Sequence, residues 1–169
     1  MVAAARHHDE GTASMEVALI GLGNMGSRIA RCILGGGFEL KVWNRTASKM
    51  EPLVALGAKP SATAKAAATG ADVIITSLMD DKSIGDTLRA TDGILAGMKQ
   101  GAVHVCVATI SPEYADELAQ LHLEHGSYYV SGPVIGRPNA AANCRLTSVL
   151  AGDPRAVAIA TPVCRTYSK

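Results

Sequence analysis

Val17-Ala18-Leu19-Ile20-Gly21-Leu22-Gly23-Asn24-Met25-Gly26 is the stretch on which the reading of this chain turns. Residues 17–20 form a short continuous apolar run, the pattern of a strand buried on both faces. Gly21, Gly23 and Gly26 follow at the GxGxxG spacing, and Met25, Ile29, Cys32 and Ile33 then recur at a helical interval. Strand, glycine turn and amphipathic helix therefore come in the order that gives each glycine a mechanical role. Gly21 permits the tight turn, Gly23 lets the backbone approach a pyrophosphate, and Gly26 lets the helix lie close to the sheet. The amides of the turn, with Leu22, Asn24 and Met25 between the glycines, sit at the positive end of the helix and favour an anionic diphosphate.

Working outward, the helix stops at Gly35-Gly36-Gly37, and residues 40–43 read as a second strand. The opening is thus a βαβ unit with a parallel pair, for which the right-handed crossover is the rule. Domains that prefer NAD end this second strand with a carboxylate that accepts from the ribose 2′-hydroxyl. Here the strand runs instead into Asn44-Arg45-Thr46. Arg45 is able to pair with a 2′-phosphate and stack on the adenine face, and Asn44 and Thr46 offer neutral hydrogen bonds. NADP(H) is favoured over NAD(H) on this ground; the bland alternative makes Arg45 a solvated loop cation.

The alternation continues down the chain. Residues 46–56 read as a helix closed by Gly57, and Ser61 as the cap of a short alanine-rich helix. Residues 72–76 form a third strand, 82–98 a helical stretch broken near Asp92-Gly93, and 103–107 a further strand. Ser111-Pro112 opens a helix with a cap and a proline at its first position, its buried side lined by Tyr114, Leu118 and Leu121. Residues 128–130 lead as a strand into the loop 131–138, residues 146–151 form a late strand, and Asp153-Pro154 starts a last helix. The fold class is α/β, Rossmann-type and doubly wound, with a mainly parallel sheet.

At 169 residues the chain suits one domain, taken as residues 15–169, preceded by a flexible leader over 1–14 that has no apolar core of signal-peptide length. Hydrophobic residues at 48% against 18% charged exclude disorder for most of it. A formal charge of +1 gives no electrostatic case for nucleic acid or an anionic membrane, and no apolar run approaches the roughly 20 residues of a bilayer span. Cys32, Cys106, Cys144 and Cys164 show no metal-like spacing and read as free thiols of a reducing compartment, with the cytoplasm as the default location. No metal site is expected.

The segments GLGNMG, VWNRT, DVIITSLMDD, VATISPEYADELA, VSGPVIGRPNAA and LTSVLAGDP, in that order, resemble the β-hydroxyacid dehydrogenase family, which includes 3-hydroxyisobutyrate and 6-phosphogluconate dehydrogenases and the imine reductases. The resemblance implies that Leu78 and Met79 line the cofactor and that Thr109 lies near the nicotinamide. It also implies a substrate loop at Gly132, Pro133, Val134, Ile135, Gly136 and Arg137. Ile135 stands where the family commonly has a serine that grips the acid's carboxylate. That departure points to the imine-reductase-like branch or to members of undefined substrate, with Arg137 as either a carboxylate partner or surface charge.

The family's catalytic lysine follows the nucleotide-binding domain, in a region leading into an all-helical domain. This chain stops at Tyr167-Ser168-Lys169, where that region is expected to begin. The resemblance thus implies truncation before the lysine and a missing C-terminal helical domain. No catalytic residue is assigned, and His104, His122 and His125 read as structural or solvated. The expected function is the NADP(H)-binding half of an oxidoreductase that moves hydride between NADPH and a small carbonyl, hydroxyacid or imine. By the resemblance that oxidoreductase is expected to be inactive as this isolated chain, and the alternative is a non-catalytic NADP(H)-binding or sensing module. A small-molecule substrate is expected only with a catalytic domain supplied, and the uncovered apolar face offers a second copy a place to form a homodimer.

Overall fold

The computed structural model describes residues 15–169; the expected leader, 1–14, lies outside the described residues. The chain begins with β1 (Glu16–Ile20), the glycine turn and α1 (Gly26–Gly35), then returns through β2 (Glu39–Trp43). A 3₁₀ turn (Ala47–Met50) leads into the short α2 (Glu51–Val54), then β3 (Lys59–Pro60), α3 (Ala64–Ala68) and β4 (Val73–Thr76). Next come α4 (Asp81–Arg89), α5 (Ile94–Gly97), β5 (Val103–Cys106), α6 (Pro112–His125) and β6 (Tyr128–Ser131). The chain closes with β7 (Val134–Ile135), α7 (Pro138–Ala142), β8 (Thr147–Ser148), β9 (Ala151–Gly152) and α8 (Pro154–Cys164).

Seven strands form one sheet in the order β3-β2-β1-β4-β5-β6-β9, parallel except for β9, which runs antiparallel to β6. The order reverses at β1, so the chain leaves β1 and β4 toward opposite faces of the sheet and a crevice opens above the strand ends. Alternate residues of β1 supply two separate cores. Val17 and Leu19 pack with α1 and α8, whereas Ala18 and Ile20 pack with α3 to α6. Leu19 and Ile20 are both fully buried, and burial of each side chain stabilises the fold by about 1.5–3 kcal/mol. Glycine, alanine and short branched side chains let helices approach both faces closely, which is why so few aromatics are needed.

Local signals held where one residue type has one mechanical task. The Ser111 hydroxyl accepts from the Tyr114 amide at 3.2 Å, and Asp153 accepts from the Arg155 amide at 2.8 Å, so both cap-then-proline starts are real. Other expectations are corrected. Residues 46–56 are not one helix, because Pro52 lacks the amide that a continuous ladder needs there. The cap of α3 is Thr63, whose Oγ1 accepts from Ala66 at 3.0 Å, and not Ser61. The late strand over 146–151 divides in two: β8 pairs with β7 in a two-stranded sheet and β9 pairs with β6. Between them the Val149 amide bonds the Pro133 carbonyl, and the chain changes partners.

The cysteine expectation is corrected as well. Cys106 and Cys164 are free and buried, but Cys32 and Cys144 form a disulfide with Cα atoms 5.8 Å apart. The two lie 112 residues apart in sequence, and only the packing of α7 on α1 brings them together. Among the described residues His104 and His122 are buried and joined in a hydrogen-bonded file. Thr76 Oγ1 meets His104 Nε2 at 2.8 Å, His104 Nδ1 meets His122 Nε2 at 2.9 Å, and His122 Nδ1 meets Ser127 Oγ at 2.8 Å. All four residues are buried. Loss of water pushes His122 down to about 4 and His104 well below the ordinary imidazole value, so both rings are neutral.

Candidate functional site

A cleft of about 490 Å³ opens at the crevice, lined among others by Gly21, Gly23, Asn44, Arg45, Thr46, Leu78 and Met79. One wall is the glycine turn. Gly21 takes φ +96°, a conformation that L side chains rarely adopt, and its amide bonds the Trp43 carbonyl at 3.0 Å. A Cβ at Gly23 would point into open space, so here the glycine leaves room for a ligand and relieves no internal crowding. A Cβ at Gly26 would instead collide with the carbonyl of Gly21, so that glycine sets how closely α1 packs. Among the described residues no side chain caps the N-terminus of α1, and its first turn carries no acidic residue. An anion at that end meets the positive pole of the helix without a protein competitor.

The second wall is the end of β2. Asn44 Oδ1 accepts from the Leu22 amide at 2.8 Å and its Nδ2 donates to the Thr46 carbonyl at 3.1 Å. Asn44, expected to offer hydrogen bonds to a cofactor, is thus engaged in fastening β2 to the glycine turn. Arg45 is exposed, and Lys49, which the sequence reading missed, lines the cleft with it. Among the described residues neither side chain is in an ion pair. Lys49 lies in the 3₁₀ turn four residues past Arg45, and that nearness in sequence is the signal that would have found it.

The third wall joins the end of β4 to α4 through Ser77, Leu78, Met79 and Asp80. Met79 is 93% exposed, an apolar side chain left standing at the mouth. Asp80 caps α4 by accepting from the Ser83 amide at 2.8 Å, and that bond holds its carboxyl below the usual range. Its neighbour Lys82 is paired with Asp86, which raises the ammonium above its usual value. Both groups stay charged at neutral pH, so neither is suited to trade a proton there.

The remaining expected residues fall elsewhere. Leu22, Asn24, Met25 and Gly26 belong to the turn but do not line the cleft. Thr109 is exposed on the loop after β5, outside the cleft lining. Gly132 is buried beyond β6, its amide bonded to the Cys106 carbonyl at 2.9 Å. Pro133 and Val134 are partly buried, and Ile135, Gly136 and Arg137 are exposed. This loop and the cleft share the carboxyl end of the sheet but are not one cavity. A hollow of about 540 Å³ between α4 and α6 is slightly larger, but it lacks the glycine turn and its Arg89 is already paired with Glu117. Among the described residues no group of three or more histidine, cysteine or acidic side chains could hold a metal, and no helix is long and apolar enough to cross a membrane.

Comparison with known proteins follows the same outline. The family described as the NAD binding domain of 6-phosphogluconate dehydrogenase matches residues 16–169. The uncharacterized oxidoreductase YfjR of Bacillus subtilis is 43% identical over 155 residues, which make up 92% of this chain and 54% of the relative. The NAD-dependent L-serine dehydrogenase of Pseudomonas aeruginosa is 33% identical over 148 residues, 88% of this chain and 50% of the relative. Among solved structures, Psf3 in complex with NADP+ and 2-OPP superposes with a TM-score of 0.86 at 29% identity, covering 90% of this chain and 54% of that one. The chain thus spans about half the length of each of these three.

Proposed function

The chain belongs to the family of the NAD-binding domain of 6-phosphogluconate dehydrogenase, and from that membership we propose that its cleft holds NADP(H) in preference to NAD(H). Nucleotide binding is the family's shared property; the choice of nucleotide is this chain's own. The observation that carries the choice is the cation pair at the end of β2. Arg45 and Lys49 line the cleft and, among the described residues, are in no ion pair, at the strand end where a carboxylate would otherwise select NAD. A 2′-phosphate gives both cations a partner, and a guanidinium matches it with two parallel hydrogen bonds. The diphosphate belongs over Gly23 at the open end of α1, and the nicotinamide end toward Leu78, Met79 and Thr109. Psf3 is recorded with NADP+ and the serine dehydrogenase is named for NAD, so the family accommodates both.

When bound, the nucleotide supplies hydride chemistry. In the whole protein this domain contributes the nucleotide site and the loop of Gly132 to Arg137 contributes the substrate side, for a small carbonyl, hydroxyacid or imine. Proton handling falls to a partner domain, because Asp80 and Lys82 stay charged near neutrality. That favours nucleotide binding without turnover for this chain alone. Ile135 and Val149, 63% and 55% exposed, mark an apolar rim where such a domain or a second copy would dock.

Calorimetric titration of the purified chain with NADPH and separately with NADH tests the reading. The expected result is at least about tenfold tighter binding of NADPH. Equal affinities would remove Arg45 and Lys49 as selectors, and binding of neither would overturn the site itself.

A further inference from the structure

Helix α7 is flanked by two residues in backbone conformations that L side chains rarely adopt, Gly136 at φ +148° and Cys144 at φ +53°. Among the described residues Cys144 is the one non-glycine residue with positive φ. Between them lies a helix of five residues with no side-chain cap at its start. The chain is anchored before this excursion, where the Gly132 and Val134 amides bond the Cys106 and Val107 carbonyls. It is anchored again after it, where buried Leu146 exchanges backbone hydrogen bonds with Tyr167 and Lys169. Residues 136–145 in between reach the body of the fold through the packing of α7 on α1 and through the Cys32–Cys144 bond.

The two cysteines differ in exposure. Cys32 is 5% exposed on α1, whereas Cys144 is partly exposed in the turn that follows α7. The other two cysteines are buried, and burial raises both thiols above their usual range, which keeps them out of exchange. The bond therefore joins the helix that follows the glycine turn to the turn after α7, and its partly exposed end is Cys144.

We propose that Cys32–Cys144 is an exchangeable tether, opened by a low-molecular-weight thiol and closed by the corresponding disulfide, whose state sets the order of residues 136–145. In opening, a thiolate attacks the Cys144 sulfur, the Cys32–Cys144 bond breaks, and Cys32 leaves as a thiolate that takes a proton. A second small thiolate then attacks the small-molecule sulfur of the mixed disulfide and releases Cys144, which is protonated in turn. The protein disulfide gains two electrons and two protons, and two small thiols become one small disulfide. Closing is the reverse, with no other oxidant. Once opened, the segment between Gly136 and Cys144 is held by a single short helix, and residues bearing positive φ at both ends act as its hinges.

The test uses the purified chain equilibrated with oxidised or with reduced glutathione, trapped by alkylation and mapped by peptide mass spectrometry, with hydrogen exchange measured in both states. Oxidised glutathione should give the Cys32–Cys144 linked peptides, and reduced glutathione should give both cysteines alkylated without denaturant. Exchange across 136–145 should rise several-fold on reduction while residues 17–20 are unchanged. A C32S/C144S double variant should show the fast exchange under both conditions. Absence of the linked peptides, failure of reduced glutathione to open them, or equal exchange in both states would each overturn the proposal. A rise that includes residues 17–20 would also overturn it, by making the bond a staple of the whole fold. None of these readouts uses a nucleotide, so they stand apart from the titration with NADPH.

Discussion

The side-chain carbonyl of Asn44 accepts a 2.8 Å hydrogen bond from the Leu22 amide. Twenty-two positions apart in sequence, the two residues lock the end of β2 to the glycine turn, the two places to which the proposed function assigns the choice of nucleotide and its diphosphate. Asn44→Ala should therefore weaken NADPH and NADH alike, because it loosens the turn common to both. It should also lower stability by about 1–2 kcal/mol, for a partly buried amide left without its acceptor. Asn44→Asp keeps the acceptor but brings a carboxylate to the end of β2, and should shift preference toward NADH. Calorimetry with both nucleotides and urea melts separate these outcomes; a loss confined to NADPH in Asn44→Ala would contradict the tether role.

Arg45→Ala should weaken NADPH by about 10- to 100-fold, the loss of charge-assisted hydrogen bonds worth about 1.5–3 kcal/mol. NADH binding should hardly change. Lys49→Ala should act in the same direction and less strongly, since an ammonium is a point charge without the planar fork. The same titrations decide, and equal losses for the two nucleotides would remove the cation pair as the selector.

Gly23 and Gly26 should separate binding from folding. Gly23→Leu projects into open space, so the melting temperature should stay near that of the parent while both nucleotides are lost. Gly26→Ala meets the Gly21 carbonyl and should cost about 1–3 kcal/mol of stability through overpacking. Thermal melts paired with titration test this. Retained nucleotide binding in Gly23→Leu would place the diphosphate elsewhere.

The file of Thr76, His104, His122 and Ser127 predicts acid sensitivity. Both rings sit below the usual value of 6.5 because burial penalises the charged form. The unfolded chain then binds more protons than the native one below that value, so stability falls as pH drops from about 6.5 toward 4. His122 alone accounts for a loss on the order of 3 kcal/mol over that interval. Urea unfolding between pH 7.5 and 4.5 measures it, and His122→Gln should flatten the curve while lowering its plateau. A parent curve with no slope would mean that these rings are not held neutral.

Much of this fold was legible because its signals are local. Four consecutive apolar residues, 17–20, suffice to show a strand buried on both faces, and a GxGxxG turn between strand and helix declares both its neighbours. The caps at Ser111 and Asp153 work within three residues of themselves. The place of Arg45, two residues past the end of β2, is local in the same way. What sequence left hidden depends on neighbours that are distant along the chain. The split of 146–151 into β8 and β9 follows from a change of strand partner, and the file of histidines from β5 lying against α6. Lys49 and Asp80 reach the same cleft from opposite walls. The Cys32–Cys144 pairing needs α7 seated on α1.

The sequence by itself determined the alternation of strand and helix, the glycine turn and the cation at the second strand's end, because each is a matter of side chain and backbone within one or two turns. Only the tertiary structure decided which of those residues share a cleft, which histidines are sealed from water and which cysteines meet. Those are questions of distance between segments that no local pattern records, and packing settles them by burying the apolar faces that the pattern only marks out.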